Sequence, residues 1–143
     1  MEATTPMGNE SAGFGCEFFD QLPGRHYDED GLAGIELDAR DDLRGPAGSL
    51  HGGLVTMLVD IAAATCVTRE TGRLVATATT SIEYMSAGRV GPFRATGTVL
   101  RATANRGVAE VRVVDHGKDD RLMAVALVSF SFLSGDGFER KTT

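Results

Sequence analysis

Residues 49–72 read SLHGGLVTMLVDIAAATCVTRETG, and the fold follows from how apolar that stretch is. Leu54, Val55, Met57, Leu58, Val59, Ile61, the alanines 62–64, Cys66 and Val67 cover nearly every side of a helix drawn through it. A helix that is hydrophobic all round belongs in the middle of a fold, because it has no face to give to solvent. Ser49 is the expected N-terminal cap and Gly72 the expected stop, with Arg69 and Arg73 suiting the negative end of the helix dipole.

Working outward, everything after this helix reads as strand, turn, strand. Residues 74–84 alternate, with Thr77, Thr79, Ser81 and Glu83 on a polar face and Ala76, Ala78, Ile82 and Tyr84 on the other. Residues 88–92 break the pattern, and 93–103, 108–114 and 121–133 are further strands. They are separated by a hairpin turn at Ala104-Asn105-Arg106-Gly107 and a polar turn over 115–120. Connections this short require antiparallel neighbours, since a parallel pair needs a crossover of about a dozen residues. Before the helix, Phe14, Phe18, Phe19 and Leu22 recur at helical spacing until Pro23-Gly24, and residues 32–39 form the expected first strand. The fold class is therefore α+β: one antiparallel sheet curled around one central helix.

At 143 residues the chain has room for one domain, expected over 13–143 behind a flexible lead at 1–12. No run of about 18 apolar residues is seen, so no membrane span is expected. The first residues lack a basic start and an apolar stretch, which points to the cytoplasm. A net charge of −6, with the arginines spread along the chain, argues against a nucleic-acid partner. Cys16 and Cys66 read as buried free thiols. His26, His51 and His116 lack metal-ligand spacing, so neither a metal nor a cofactor is expected.

Two features carry chemistry. Asp60 stands in the middle of the apolar helix with Thr56, Met57, Ala63 and Ala64 three and four residues away, none of them a cation. A buried carboxylate costs several kcal/mol unless it is paired or hydrogen-bonded, so Asp60 is either functional or placed at a solvent-lined edge, bonded to Thr56. His51-Gly52-Gly53 opens the helix with two residues that are each about 1 kcal/mol worse than Ala in a helix. They give open access to backbone N–H groups at the positive end of the dipole, where an oxyanion is stabilised. The bland alternative is a tight turn with a hydrogen-bonded structural histidine.

The combination, His51-Gly52-Gly53 with Asp60 nine residues after the histidine, resembles the helix signature of the hotdog-fold acyl-CoA thioesterases. The likeness is strongest to the branch holding the phenylacetate-pathway enzymes and the mammalian thioesterase-superfamily proteins. Tyr84-Met85-Ser86-Ala87 looks like the same branch, and the resemblance runs from about residue 32 to 133. It implies hydrolysis of acyl-CoA thioesters, with Asp60 as general base or nucleophile and the Gly52 amide as oxyanion donor. It further implies that Thr77 helps place the water, that His51 supports the turn, and that Gly53, Gly45 and Tyr84 line the substrate site. Gly45 is a departure, because the family often carries Asn or Gln six positions before the histidine.

Two other readings stay open. A non-catalytic acyl-CoA binder is favoured by Gly45, whereas a hotdog hydratase or dehydratase would need an Asp-x-Asn-x-x-His arrangement that residues 42–51 do not supply. The acyl group, and its carrier (coenzyme A or acyl-carrier protein), are not specified by these residues. Gly52 and Asp60, eight residues apart, lie about 12 Å apart along one helix, too far to engage one thioester carbon. A homodimer or homotetramer with shared sites is the expectation, in agreement with the family.

Overall fold

The computed structural model describes residues 14–134, so the expected lead at 1–12 lies outside the described residues. In chain order the elements are a one-turn helix α1 (Glu17–Asp20), strands β1 (Gly24–Glu29) and β2 (Leu32–Leu37), and the long helix α2 (Gly52–Thr71). Strands β3 (Val75–Tyr84), β4 (Phe93–Ala102), β5 (Arg106–Asp115) and β6 (Arg121–Phe132) follow. The strands form one sheet in the order β1-β2-β4-β5-β6-β3, with every pair antiparallel.

The sheet wraps α2, which packs against β2 through β6 and most extensively against β4. Strand alternation supplies the inner wall: Ala109, Val111 and Val113 on β5, and Ala124, Ala126, Val128 and Phe130 on β6, are all buried. Burying each Val or Phe side chain contributes about 1.5–3 kcal/mol, so this layer is the main source of stability. Small residues let the helix come close. A Cβ on Gly97 of β4 would lie 2.7 Å from the Ala62 carbonyl oxygen and 2.8 Å from Cys66 Sγ. Gly72 ends α2 in the left-handed conformation at φ +70° and donates its N–H to Thr68 O, as the sequence predicts.

Several expectations are corrected. The sheet begins not at residue 32 but at β1, which pairs with β2 through a two-residue turn at Asp30 and Gly31, both at positive φ. Residues 14–22 hold a single turn of helix, because Phe14 packs edge-on against His26 and Phe18 stays 67% exposed. The cap of α2 is His51; Ser49 instead accepts the Gly45 N–H in the loop before it. Cys16 is exposed, while Cys66 is a buried free thiol that burial pushes up to about 11. By length and composition α2 is apolar enough to cross a membrane, and here it is the core helix of the sheet.

Candidate functional site

The start of α2 is held by the loop before it. His51 N–H donates to Leu43 O at 3.0 Å, and Leu50 N–H donates to Gly88 O at 2.9 Å. The segment carrying Gly88 is in turn fixed by the buried Asp115 carboxylate, which accepts the N–H groups of Arg89, Val90 and Gly91 at 2.8–3.1 Å. Arg89 also reaches across to Ala47 O at 2.9 Å. Asp115 escaped the sequence reading, since a lone Asp at a strand end gives no local signal of what it binds.

Where the first helical N–H groups go decides what this end of α2 offers a ligand. His51 Nδ1 accepts the Gly53 N–H at 2.9 Å, so the ring carries its proton on Nε2 when neutral. The Leu54 and Val55 N–H groups both donate to His51 O. The Gly52 N–H alone has no acceptor among the described residues. A Cβ on Gly53 would sit 3.1 Å from His51 Nδ1, so a side chain there requires the imidazole to shift.

Asp60 lies on a stripe of α2, with Thr56, Ala64 and Thr68, that is only partly covered while the adjoining positions are buried. The helix is thus open along one side, contrary to the all-round burial its composition suggests. Thr77 of β3 donates its hydroxyl to Asp60 Oδ1 at 2.6 Å. The expected bond to Thr56 is not made; Thr56 donates to Gly52 O and pairs with the Tyr84 hydroxyl.

Thr77 and Tyr84 both face α2, although they differ in parity and the sequence places them on opposite faces. The register of β3 against β6 shifts between Thr77 and Thr79, from Thr77 opposite Phe130 to Thr79 opposite Ser129. One extra residue in a strand reverses the facing of everything beyond it. Thr77 therefore shares the inner face with Ile82 and Tyr84. The polar and apolar faces expected for 74–84 are not kept, and most of this edge strand is exposed.

The sequence-predicted residues fall into two groups. Asp60 and Thr77 form one, and His51, Gly52, Gly53 and Tyr84 form the other at the head of α2, where the Tyr84 hydroxyl oxygen lies 3.2 Å from Gly52 O. Gly45 belongs with the second, since a Cβ there would meet His51 Cδ2 at 3.5 Å. Thr56 was read as a partner for Asp60, and its link to Tyr84 was missed because the two are 28 residues apart in sequence.

The thioesterase superfamily model matches residues 47–124, more than half of the chain and all of α2 and β3. The chain belongs to the thioesterase superfamily. No curated protein matches it. Among solved structures, this superfamily member is similar to a conserved protein from Pseudomonas aeruginosa, at 26% identity and TM-score 0.72, over 82% of this chain and 94% of that one. It also resembles a Bacillus halodurans protein solved with CoA, at 18% identity and TM-score 0.75, covering 92% of both chains. The E. coli PaaI protein from the phenylacetic acid degradation operon matches at 17% identity and TM-score 0.77, over 92% and 95%. The latter two show the fold, which is the hotdog fold that the residues of α2 predict.

Proposed function

We propose that this superfamily member hydrolyses acyl-coenzyme A thioesters at sites shared between two copies of the chain. The observation that carries this reading is the Thr77 hydroxyl on Asp60 Oδ1, on the open stripe of the core helix. That bond orients the carboxylate and leaves Oδ2 without a partner among the described residues, available to a water or to a carbonyl carbon. The CoA held by the Bacillus halodurans neighbour supports coenzyme A as the carrier.

Two routes use these atoms. With Asp60 as general base, Oδ2 takes a proton from water as the oxygen attacks the thioester carbon. Collapse of the tetrahedral oxyanion breaks the C–S bond, and the proton passes to the leaving thiolate. With Asp60 as nucleophile, the carboxylate itself attacks, a mixed anhydride forms as the thiolate leaves, and water then hydrolyses it. In both routes the oxyanion needs a donor, and the Gly52 N–H at the positive end of the dipole is suited to it.

Gly52 and Asp60 of one helix, about 12 Å apart, do not reach one carbon. Two helices running antiparallel about a two-fold axis bring Gly52 of one copy beside Asp60 of the other. The edge of β3, which among the described residues pairs only with β6, is then positioned to meet its own copy. The test is a panel of acyl-CoAs with wild type and Asp60→Asn. The variant should lose about 10²- to 10⁴-fold in kcat, with unchanged circular dichroism and thioester binding. Turnover at the wild-type rate makes Asp60 structural and sinks the reading. A second reading, an acyl-CoA binder without turnover, is favoured by Gly45, whose only donor is spent on Ser49 O; tight binding with no hydrolysis across the panel would establish it.

A further inference from the structure

A groove of about 480 Å³ opens beside Asp60 and runs along the open stripe of α2 toward its C-terminal end. Asp60, Ala64 and Thr68 form its floor at a spacing of four, one above another on the helix face. Phe14 stands on one side and Leu74 and Val75 on the other. The farthest residue along the helix is Arg69, tied across to Asp28 of β1 at 2.7 Å. Phe14, Leu74 and Val75 give the groove apolar wall, with His26 and Thr65 also on its lining; it begins at the carboxylate and ends at an ion pair.

We propose that this groove holds the acyl group, that it admits straight chains up to about ten carbons, and that Ala64 sets how far they enter. The proposal rests on the thioesterase reading of Asp60. From Asp60 to Thr68 the helix rises about 12 Å. An extended chain advances about 3.3–3.6 Å per three bonds, so this length takes about ten bonds. Ala64 is the narrowest side chain on the floor and stands midway. A larger residue there divides the groove and leaves the Asp60 end open. The Arg69–Asp28 pair stops longer chains, because an apolar tail pressed against it strips water from two half-exposed charges and offers no polar group in its place.

The test compares binding of the non-hydrolysable thioether analogues of acetyl-, octanoyl- and palmitoyl-CoA by calorimetry, alongside kcat/KM for the matching thioesters. Wild type should bind the octanoyl analogue at least tenfold tighter than the acetyl analogue, with no further gain for palmitoyl. Ala64→Leu should remove most of the octanoyl advantage and leave acetyl binding within about threefold. Leu74→Ala changes a side chain that is 55% exposed, so folding tolerates it, and it should weaken the octanoyl analogue alone by about three- to tenfold. Equal losses for all chain lengths, or none, in both variants overturn the groove. A protein that binds the octanoyl analogue in this Ala64-dependent way but hydrolyses nothing upholds the groove and sinks the thioesterase. One that hydrolyses all chain lengths alike, indifferent to Ala64→Leu, does the reverse.

Discussion

Gly45 offers the thioester nothing: its N–H is spent on Ser49 O at 2.8 Å, and it has no side chain. Its φ lies outside the left-handed region, and a Cβ would find ordinary contacts against His51. The glycine is therefore not required by the backbone. Gly45→Asn should raise kcat, by about tenfold where the restored amide reaches the carbonyl or the water, since an oxyanion-type donor is typically worth about 10²–10³. An unchanged or lower kcat in a well-folded variant would show that the position is not a donor site. Thr77 carries the opposite expectation. A hydrogen bond to a charged group is worth about 1.5–3 kcal/mol, so Thr77→Ala should cost about 10- to 100-fold in kcat. A Thr77→Ala variant with wild-type kcat and KM would show that the bond to Asp60 does not orient it for catalysis.

Elements differ in how much of themselves they declare. Helix α2 was legible because its apolar run is long and Gly72 ends it in the conformation only glycine adopts cheaply. Strand β1 was not, because GRHYDE at a sheet edge buries little, although Asp30-Gly31 was a usable hairpin signal. The bulge in β3 depends on its pairing with β6, which no local pattern encodes, so the alternation that set Thr77 and Tyr84 on opposite faces fails. Asp60 and His51-Gly52-Gly53 stood out in the sequence as candidates because charge and glycine are out of place in an apolar helix. One consequence of the sheet is measurable by pH. Burial pushes Glu36 of β2 upward, but hydrogen bonds and charge from Arg94 of β4 and Arg25 of β1 hold it, on balance, below its ordinary value of 4.5. A carboxylate depressed in the folded state contributes stability that is full above its unfolded value and lost as pH falls through the folded one. The urea midpoint should fall below about pH 4.5 from this group, and Glu36→Gln should lower it at neutral pH while flattening that acid limb. Parallel acid limbs in the two proteins would assign the loss to other carboxylates.

At the scale of the molecule, Gly52 and Asp60 lie about 12 Å apart along one helix, so the chemistry proposed for them calls for a second copy. Tyr84 and Met85, 53% and 58% exposed, lie near one end of β3, and Leu74, 55% exposed, precedes the other. That leaves a long edge strand with apolar residues at both ends, the kind of edge that proteins otherwise cover or charge. We expect sedimentation at assay concentration to give at least a dimer, and an active monomer would refute the shared site. A sharper test uses the backbone itself. Gly52 is the first helical position, where proline is tolerated while its missing N–H removes the donor. His51, at φ −58° and ψ 133°, already has the backbone a residue before proline adopts, and a Cβ on Gly52 meets only Tyr84, at 3.9 Å. Gly52→Pro and Asp60→Asn should therefore each fold and each be inactive alone. In a heterodimer of the two, one site combines the intact Asp60 of the first with the intact Gly52 of the second, and the other site lacks both. Unfolding and refolding an equal mixture gives half heterodimers, so activity should return to about a quarter of wild type if the two-fold arrangement holds. Recovery no greater than the sum of the two variants would place Gly52 and Asp60 in the service of different sites, and the oxyanion donor would have to be sought elsewhere.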